Sequence, residues 1–321
     1  METGKSYKSK GQKKILLASR IYYFLKYLFL LSLLILFLTF SFFYIERYFF
    51  VKNLDSNSEI INTLLGPVEL SISKGTGPVI LHIHGSPGGY DQVFGLDKKY
   101  KVLSPSRPGY LRTPITSGKT PEEQADLYKA LLEELEIDSV IVWGTSGGGP
   151  SAIEFAIKYP ESTRGLIAYE ALTGPWLAAK EIDQYFLTTS DFSLWFSLKL
   201  SEVFGKKNLV SFVVPDDSNQ NLILGDEVSF KEFKKLIWTI WPISMRQEGF
   251  SNDAEMFFDL SLDIKKISSP TIAIHGTKDT NVDISHSIKL TKAVKNSKLH
   301  SIIDADHYLS LIHISEPTRL V

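Results

Sequence analysis

The sequence predicts an α/β fold: a doubly wound, mostly parallel sheet with a helical insertion, preceded by one N-terminal transmembrane helix. Three observations predict it. Short apolar segments alternate with helical patterns, and several end in glycine-rich turns, as at Gly85-Ser86-Pro87-Gly88-Gly89 and Gly144-Thr145-Ser146-Gly147-Gly148. Such alternation implies parallel strands covered by helices. Between residues 173 and 262 the alternation stops and an aromatic-rich helical pattern replaces it. Residues 27–45 are nineteen consecutive uncharged positions rich in Leu, Phe and Ile, about the length that crosses a bilayer core as a helix.

Composition sets outer limits. The chain has 321 residues, of which 44% are apolar and 22% charged, ordinary values for a folded protein. The net charge of −1 hides an asymmetry. Residues 1–26 carry seven Lys or Arg and one acid, so the remainder carries 28 basic and 35 acidic residues. A body that acidic has no nucleic-acid footprint. The absence of cysteine excludes disulfides, thiolate catalysis and Cys-based metal sites, and leaves the compartment open.

Residues 1–26 read as a basic cytoplasmic tail, its first twenty residues without regular structure. Residues 27–45 read as a transmembrane signal anchor. A cleaved signal peptide is the main rival, but the apolar run is longer than a usual h-region and ends in Phe42-Phe43-Tyr44-Ile45-Glu46-Arg47 without a small-residue cleavage site. A buried helix of a soluble domain would show a polar face, and none interrupts the run. Tyr22, Tyr23, Tyr27, Tyr44 and Tyr48 stand at its two ends, where an aromatic belt would lie. The positive charges precede the span, so the expected topology is single-pass, N-terminus cytoplasmic, catalytic domain extracytoplasmic. Residues 46–65 read as a linker or first short strand.

The core is expected over 66–172 and 263–310. Pro67–Ser73 alternates at period two, a strand with one buried face. Pro78–His84 and Lys101–Pro105 read as strands. Thr120-Pro121-Glu122-Glu123 opens a helix to about Leu135, with a capping Thr, Pro at the first position and acids in the first turn. Val140–Trp143 is a buried strand leading into Gly144–Gly148, and a helix follows from Gly149. Gly165–Glu170, Ser269–His275 and Leu299–Ile303 complete the strands, with a helix near Ser285–Val294. The insertion at 173–262 is either a lid over a site or a second small core; most of its aromatics should be core and a minority should face a pocket. Residues 311–321 have no helical amphipathicity and read as a non-native or truncated tail.

The glycine-flanked Ser146 sits on a strand-to-helix turn that pushes its hydroxyl out of the backbone envelope. Alone this is a modest signal. Three features in order strengthen it: His84-Gly85-Ser86-Pro87-Gly88-Gly89, Gly144-Thr145-Ser146-Gly147-Gly148, and Gly276-Thr277-Lys278-Asp279 followed by Asp306-His307. With these motifs, the chain from about 66 to 310 resembles the α/β-hydrolase superfamily. Its His-Gly-Ser-Pro-Gly-Gly loop is similar to that of the proline iminopeptidase and esterase branch.

The resemblance implies roles. Ser146 is the expected nucleophile and needs a base in contact, because its hydroxyl barely ionises at neutral pH. His307 is the expected base and Asp279 the acid that orients it. Glu170, at the end of the strand after the serine turn, is the alternative acid. The backbone N–H groups of Ser86 and Gly147 are the expected oxyanion donors. His84 is expected to shape the oxyanion loop, His82 to be core and His275 to be structural. No histidine shows metal spacing, so neither a metal nor another cofactor is expected.

The expected function is a membrane-anchored serine hydrolase cleaving an ester or amide through an acyl-enzyme on Ser146. The alternatives are a proline iminopeptidase-like aminopeptidase, an acyltransferase, or a catalytically silent binding module of the same fold. The aminopeptidase reading needs an acid near the pocket, for which Glu170 and Glu248 are candidates. Expected partners are a small acyl ester or short peptide and the lipid bilayer, through 27–45, with no nucleic acid. Two departures from the family pattern stand out: the terminal helix is missing, and Ser104-Pro105-Ser106-Arg107-Pro108-Gly109 replaces an Asp-x-Arg-Gly-x-Gly loop, a change expected not to touch catalysis.

Overall fold

The computed structural model describes the backbone of residues 3–93 and 99–308, with side chains from residue 12 onward. The expected tail at 311–321 lies outside the described residues.

The chain divides into two units, Met1–Lys52 and Asn53–Val321. The first is helical. Helix α1 runs over Thr3–Ser56, longer at both ends than the apolar span. The reason is local: residues 12–56 contain neither Gly nor Pro. Helix propagation is cooperative, so nothing stops it at the charged flanks. The basic segment expected without regular structure is therefore helical from Thr3, and the expected linker begins with the last turns of α1. From Gln12 to Ser56 the helix is long and apolar enough to cross a membrane, and only 6% of its most apolar window is buried. Three hydroxyls of the apolar span bond back to carbonyls of the preceding turn: Ser32 Oγ to Phe29 O, Thr39 Oγ1 to Ile35 O and Ser41 Oγ to Phe37 O. That satisfies them without water.

The second unit is built on a sheet with eight strands among the described residues: β1 (Glu59–Thr63), β2 (Gly66–Ile72), β3 (Val79–Ile83), β4 (Lys101–Pro105), β5 (Val140–Thr145), β6 (Thr163–Tyr169), β7 (Thr271–Gly276) and β8 (Ser297–Ile302). Their order is β1-β2-β4-β3-β5-β6-β7-β8. Strands β1 and β2 are antiparallel to their neighbours, and all pairs from β4 to β8 are parallel. The strand order reverses between β3 and β5, and a crevice opens there at the carboxyl ends.

Three helices complete the core: α2 (Pro121–Glu134), α3 (Gly149–Lys158) and, after β7, a last helix over Ser285–Ala293. Helix α2 starts with the expected cap. Thr120 accepts from Glu123 N, and the Glu123 carboxylate accepts from Thr120 N. One hydrophobic cluster joins Leu81, Ile83, Val142 and Leu166 of the sheet to Leu131 of α2, Phe155 of α3 and Leu290 of the last helix. Alternate strand residues point the other way, where Trp143 stacks on Tyr169 at 5.7 Å.

Between β6 and β7 lie six helices: α4 (Ala179–Thr188), α5 (Asp191–Val203), α6 (Lys206–Ser211), α7 (Asp217–Gly225), α8 (Glu227–Trp238) and α9 (Gln247–Met256); the Ser285–Ala293 helix is then α10. The aromatics of this region divide as their environments require. Phe233, Trp241 and Phe257 are buried, Tyr185 and Phe204 are exposed, and Trp176, Phe186 and Phe250 face a cavity.

Candidate active site

Ser146 follows β5 directly and has φ of 50°, a left-handed conformation that is strained for a residue with a Cβ. The turn tightens at once into α3, and Ser146 O accepts from Leu172 N at 3.1 Å. Its neighbours Thr145, Gly147 and Gly148 are buried, whereas Ser146 is half-exposed. Ser146 opens on a cavity of about 260 Å³ under the inserted helices, shared with Ser86, Gly147 and His307.

The loop after β3 meets this turn. A methyl group at Gly147 would stand 2.1 Å from Ser86 Oγ and 3.3 Å from Ser86 N, so only glycine allows the two expected donors to lie against each other. His84 shapes the loop as expected. Its Nε2 accepts from Arg107 N at 2.9 Å, which leaves Nδ1 to donate to Gly85 O at 2.7 Å. Burial, reinforced by the Arg107 charge, pushes the His84 pKa well below the ordinary value, so the ring is neutral. Gln92 Oε1 accepts from Gly85 N at 2.8 Å and completes the loop.

The strand ends bring the other groups together. His307 follows β8 and is buried. Its Nδ1 is 2.7 Å from Asp279 Oδ2 and 3.4 Å from Glu170 Oε2. Asp279 follows β7, and its Oδ1 accepts from Asn281 N and Val282 N at 2.8 and 2.9 Å. Glu170 follows β6 with φ of 46° and is fully buried. Both acids left open by the sequence thus reach the same nitrogen, with Asp279 at hydrogen-bond length. Among the described residues no hydrogen bond joins Ser146 to His307. Such contacts are often long before substrate binds.

The electrostatics follow from burial and pairing. Burial opposes the imidazolium of His307, but the carboxylates of Glu170 and Asp279 outweigh it and raise the pKa to about 9. Burial likewise opposes ionisation of Asp279; the charge of His307 and the hydrogen bonds to the carboxylate outweigh it and hold the group below the usual carboxylate range. Glu170, Asp279 and His307 also bring one donor atom each within 4.8 Å of one another, as a cation site would. The 2.7 Å separation of His307 Nδ1 from Asp279 Oδ2 is the length of a charge-assisted hydrogen bond.

Other residues carry the site without a motif to announce them. His275, expected to be structural, donates from Nε2 to Val282 O at 2.7 Å, and the same nitrogen is 3.3 Å from Asp279 Oδ2. The segment Ser104–Gly109, expected not to touch catalysis, packs against the loop that holds Ser86. Arg107 is fully buried and donates to Ser86 Oγ at 2.7 Å and to Asp253 Oδ1 at 2.8 Å. Ser86 Oγ in turn donates to Asp253 Oδ2. Arg107 could have been suspected from its place after an apolar strand. Asp253, on an ordinary-looking helix, gives no sequence signal. Glu248 is exposed and does not line the cavity.

A model of the alpha/beta hydrolase fold matches residues 78–314. The chain belongs to the alpha/beta hydrolase fold family. It is an enzyme of the hydrolase type. This alpha/beta hydrolase is 29% identical over 251 residues to the uncharacterized hydrolase YcgS of Bacillus subtilis (strain 168), covering 73% of this chain and 86% of that one. It is 24% identical over 226 residues to a 2-hydroxy-6-oxononadienedioate/2-hydroxy-6-oxononatrienedioate hydrolase of Cupriavidus pinatubonensis, covering 69% of this chain and 75% of that one. Among solved structures, an alpha/beta hydrolase fold protein from Nakamurella multipartita is 28% identical with a TM-score of 0.71, covering 82% of this chain and 96% of that one.

Proposed function

We propose that this alpha/beta hydrolase is a membrane-anchored serine hydrolase that cleaves a carboxylic ester, or an amide, through an acyl-enzyme on Ser146. The observation that carries the reading is the placement of a strained, cavity-facing Ser146 in the same cavity as His307, whose far nitrogen is held by Asp279. Ser146 Oγ attacks the substrate carbonyl carbon while its proton passes to His307 Nε2. The oxyanion accepts from the backbone N–H groups of Ser86 and Gly147. Collapse expels the alcohol or amine, which takes the proton from His307. Water, deprotonated by His307, then attacks the acyl group and frees Ser146. The carboxylates of Asp279 and Glu170 stabilise the imidazolium formed in each half.

A fluorophosphonate probe tests this. Labelling of the wild type that is lost in Ser146→Ala is the expected result; equal labelling of both, or none of the wild type, sinks the assignment. Carbon–carbon bond hydrolysis would use the same serine turn and is the second reading. The exposed, apolar α1 supports anchoring. A reporter fused after residue 60 is expected to be active only outside the cytoplasm; activity inside would reverse the topology.

A further inference from the structure

We infer that the Ser146 cavity selects substrates that are electrically neutral around the reacting carbonyl, and rejects those carrying a carboxylate or an ammonium group there. The inference rests on the serine-hydrolase reading for its chemistry and on the cavity wall for its selectivity. Among the described residues that line the cavity, none is Lys, Arg, Asp or Glu. The wall is mainly apolar, with Leu172, Trp176, Ile182, Phe186, Leu236 and Phe250. Its polar side chains away from the reacting groups, Gln92, Thr280 and Asn281 among them, are uncharged.

Two buried arginines lie close to the oxyanion loop and could be mistaken for carboxylate receptors. Neither is available. Arg107 is paired with Asp253 and bonded to Ser86 Oγ, with its side chain fully buried. Arg246 donates to Gly88 O at 2.6 Å and to Asp91 Oδ2 at 2.9 Å. Each cation is offset by its own carboxylate, and neither lines the cavity.

The charge that does reach the cavity comes through His307, backed by Glu170 and Asp279. Two carboxylates behind one imidazolium leave a negative field. An anionic substrate would lose its hydration in an apolar site, and the cation that the described lining residues offer, the His307 imidazolium, is already offset by Glu170 and Asp279. An ammonium group fares no better. The two carboxylates sit on the Nδ1 side of the imidazole and off the cavity wall, so they cannot take its hydrogen bonds. This disfavours the aminopeptidase alternative. It also separates the chain from its relative named for a dioate, whose substrate is by name a dicarboxylate.

The test uses the full chain in detergent and three matched p-nitrophenyl esters: the butyrate, the hemisuccinate with a terminal carboxylate, and the γ-aminobutyrate with a terminal ammonium. The expected kcat/KM for each charged ester is lower than for the butyrate by about 100-fold or more, after correction for spontaneous hydrolysis, because an unpaired charge is costly to move from water into an apolar site. Binding of the same esters to Ser146→Ala, read by quenching of tryptophan fluorescence, gives a second readout that does not need turnover. Preference for the neutral ester there, together with no wild-type hydrolysis, overturns the serine-hydrolase reading and leaves the charge selection standing. Comparable or tighter binding of a charged ester, or binding of none of the three, overturns the charge selection.

Discussion

Arg107 and Asp253 form an ion pair enclosed in the protein, 146 residues apart in sequence and directly behind Ser86. One partner comes from the segment after β4 and the other from α9. The pair therefore ties the inserted helices to the loop that supplies a proposed oxyanion donor. Tyr110 also donates to Asp253 Oδ2, at 2.5 Å, so the carboxylate accepts from three side chains.

Removing one partner leaves the other charge buried and unpaired. Asp253→Asn is expected to cost about 3–5 kcal/mol of stability, read as a lower urea midpoint. Ser86→Ala keeps the backbone N–H and is expected to retain kcat within roughly 10-fold of wild type, since the backbone, not the hydroxyl, is the proposed oxyanion donor. A near-complete loss of kcat in soluble, folded Ser86→Ala would assign the hydroxyl itself to the reaction.

The two acids at His307 should separate by mutation. Asp279→Asn is expected to lower kcat by about 10⁴-fold, the scale seen when the orienting acid of such a triad is neutralised. Glu170→Gln leaves the 2.7 Å partner in place and should cost far less. Comparable losses in the two variants would make Glu170 an equal partner in orienting the imidazole.

The pH profile carries a sign. In the proposed reaction neutral His307 is the base, and its pKa is raised to about 9, so kcat/KM should climb with pH through the alkaline range. Glu170→Gln removes one of the charges that favour the imidazolium and should move this limb to lower pH. A limb that stays in place shows that Glu170 carries no charge in the free enzyme.

Stability has its own pH window. Because the His307 pKa is raised from 6.5 to about 9 on folding, its contribution is complete below about pH 6.5 and is lost as pH rises through about 9. Asp279, held below its ordinary 3.8, contributes above that pH and loses its contribution as pH falls. Urea denaturation between pH 6 and 10 should show the alkaline decline in wild type and a flatter profile in His307→Gln.

Backbone crowding at the serine turn is testable by a single methyl group. A Cβ at Gly148 would stand 2.3 Å from Ile83 O and 2.5 Å from His84 O, both backbone atoms. Gly148→Ala is expected to destabilise by about 1–3 kcal/mol, the usual cost of overpacking. Gly225→Ala, with nothing within 4 Å of the new methyl, should be nearly neutral when both variants are compared with wild type by urea denaturation.

The residues of the proposed reaction were legible because each stands at a strand end beside a local signal. Ser146 has its glycines, Ser86 follows His84-Gly85, and Asp279 and His307 close the last two strands. The supports behind them were not legible. His275 carries a strand pattern like any buried residue, and Asp253 sits on a helix whose local pattern marks nothing. The end of α1 was misread for a related reason: charged residues suggest a boundary, but a helix stops at Gly, Pro or a tertiary constraint, and neither Gly nor Pro occurs from Gln12 to Ser56.

By itself the sequence determined the α/β alternation, the glycine-flanked serine and the order of the candidate groups, because strand period and turn chemistry are short-range properties of the chain. Only the tertiary structure decided which groups meet. Strands β6, β7 and β8 are neighbours in the sheet, which brings Glu170, Asp279 and His307 to one point. The sheet order sets that distance, and packing likewise brings Arg107 to Asp253 across 146 residues, because long-range approach depends on packing and not on local pattern.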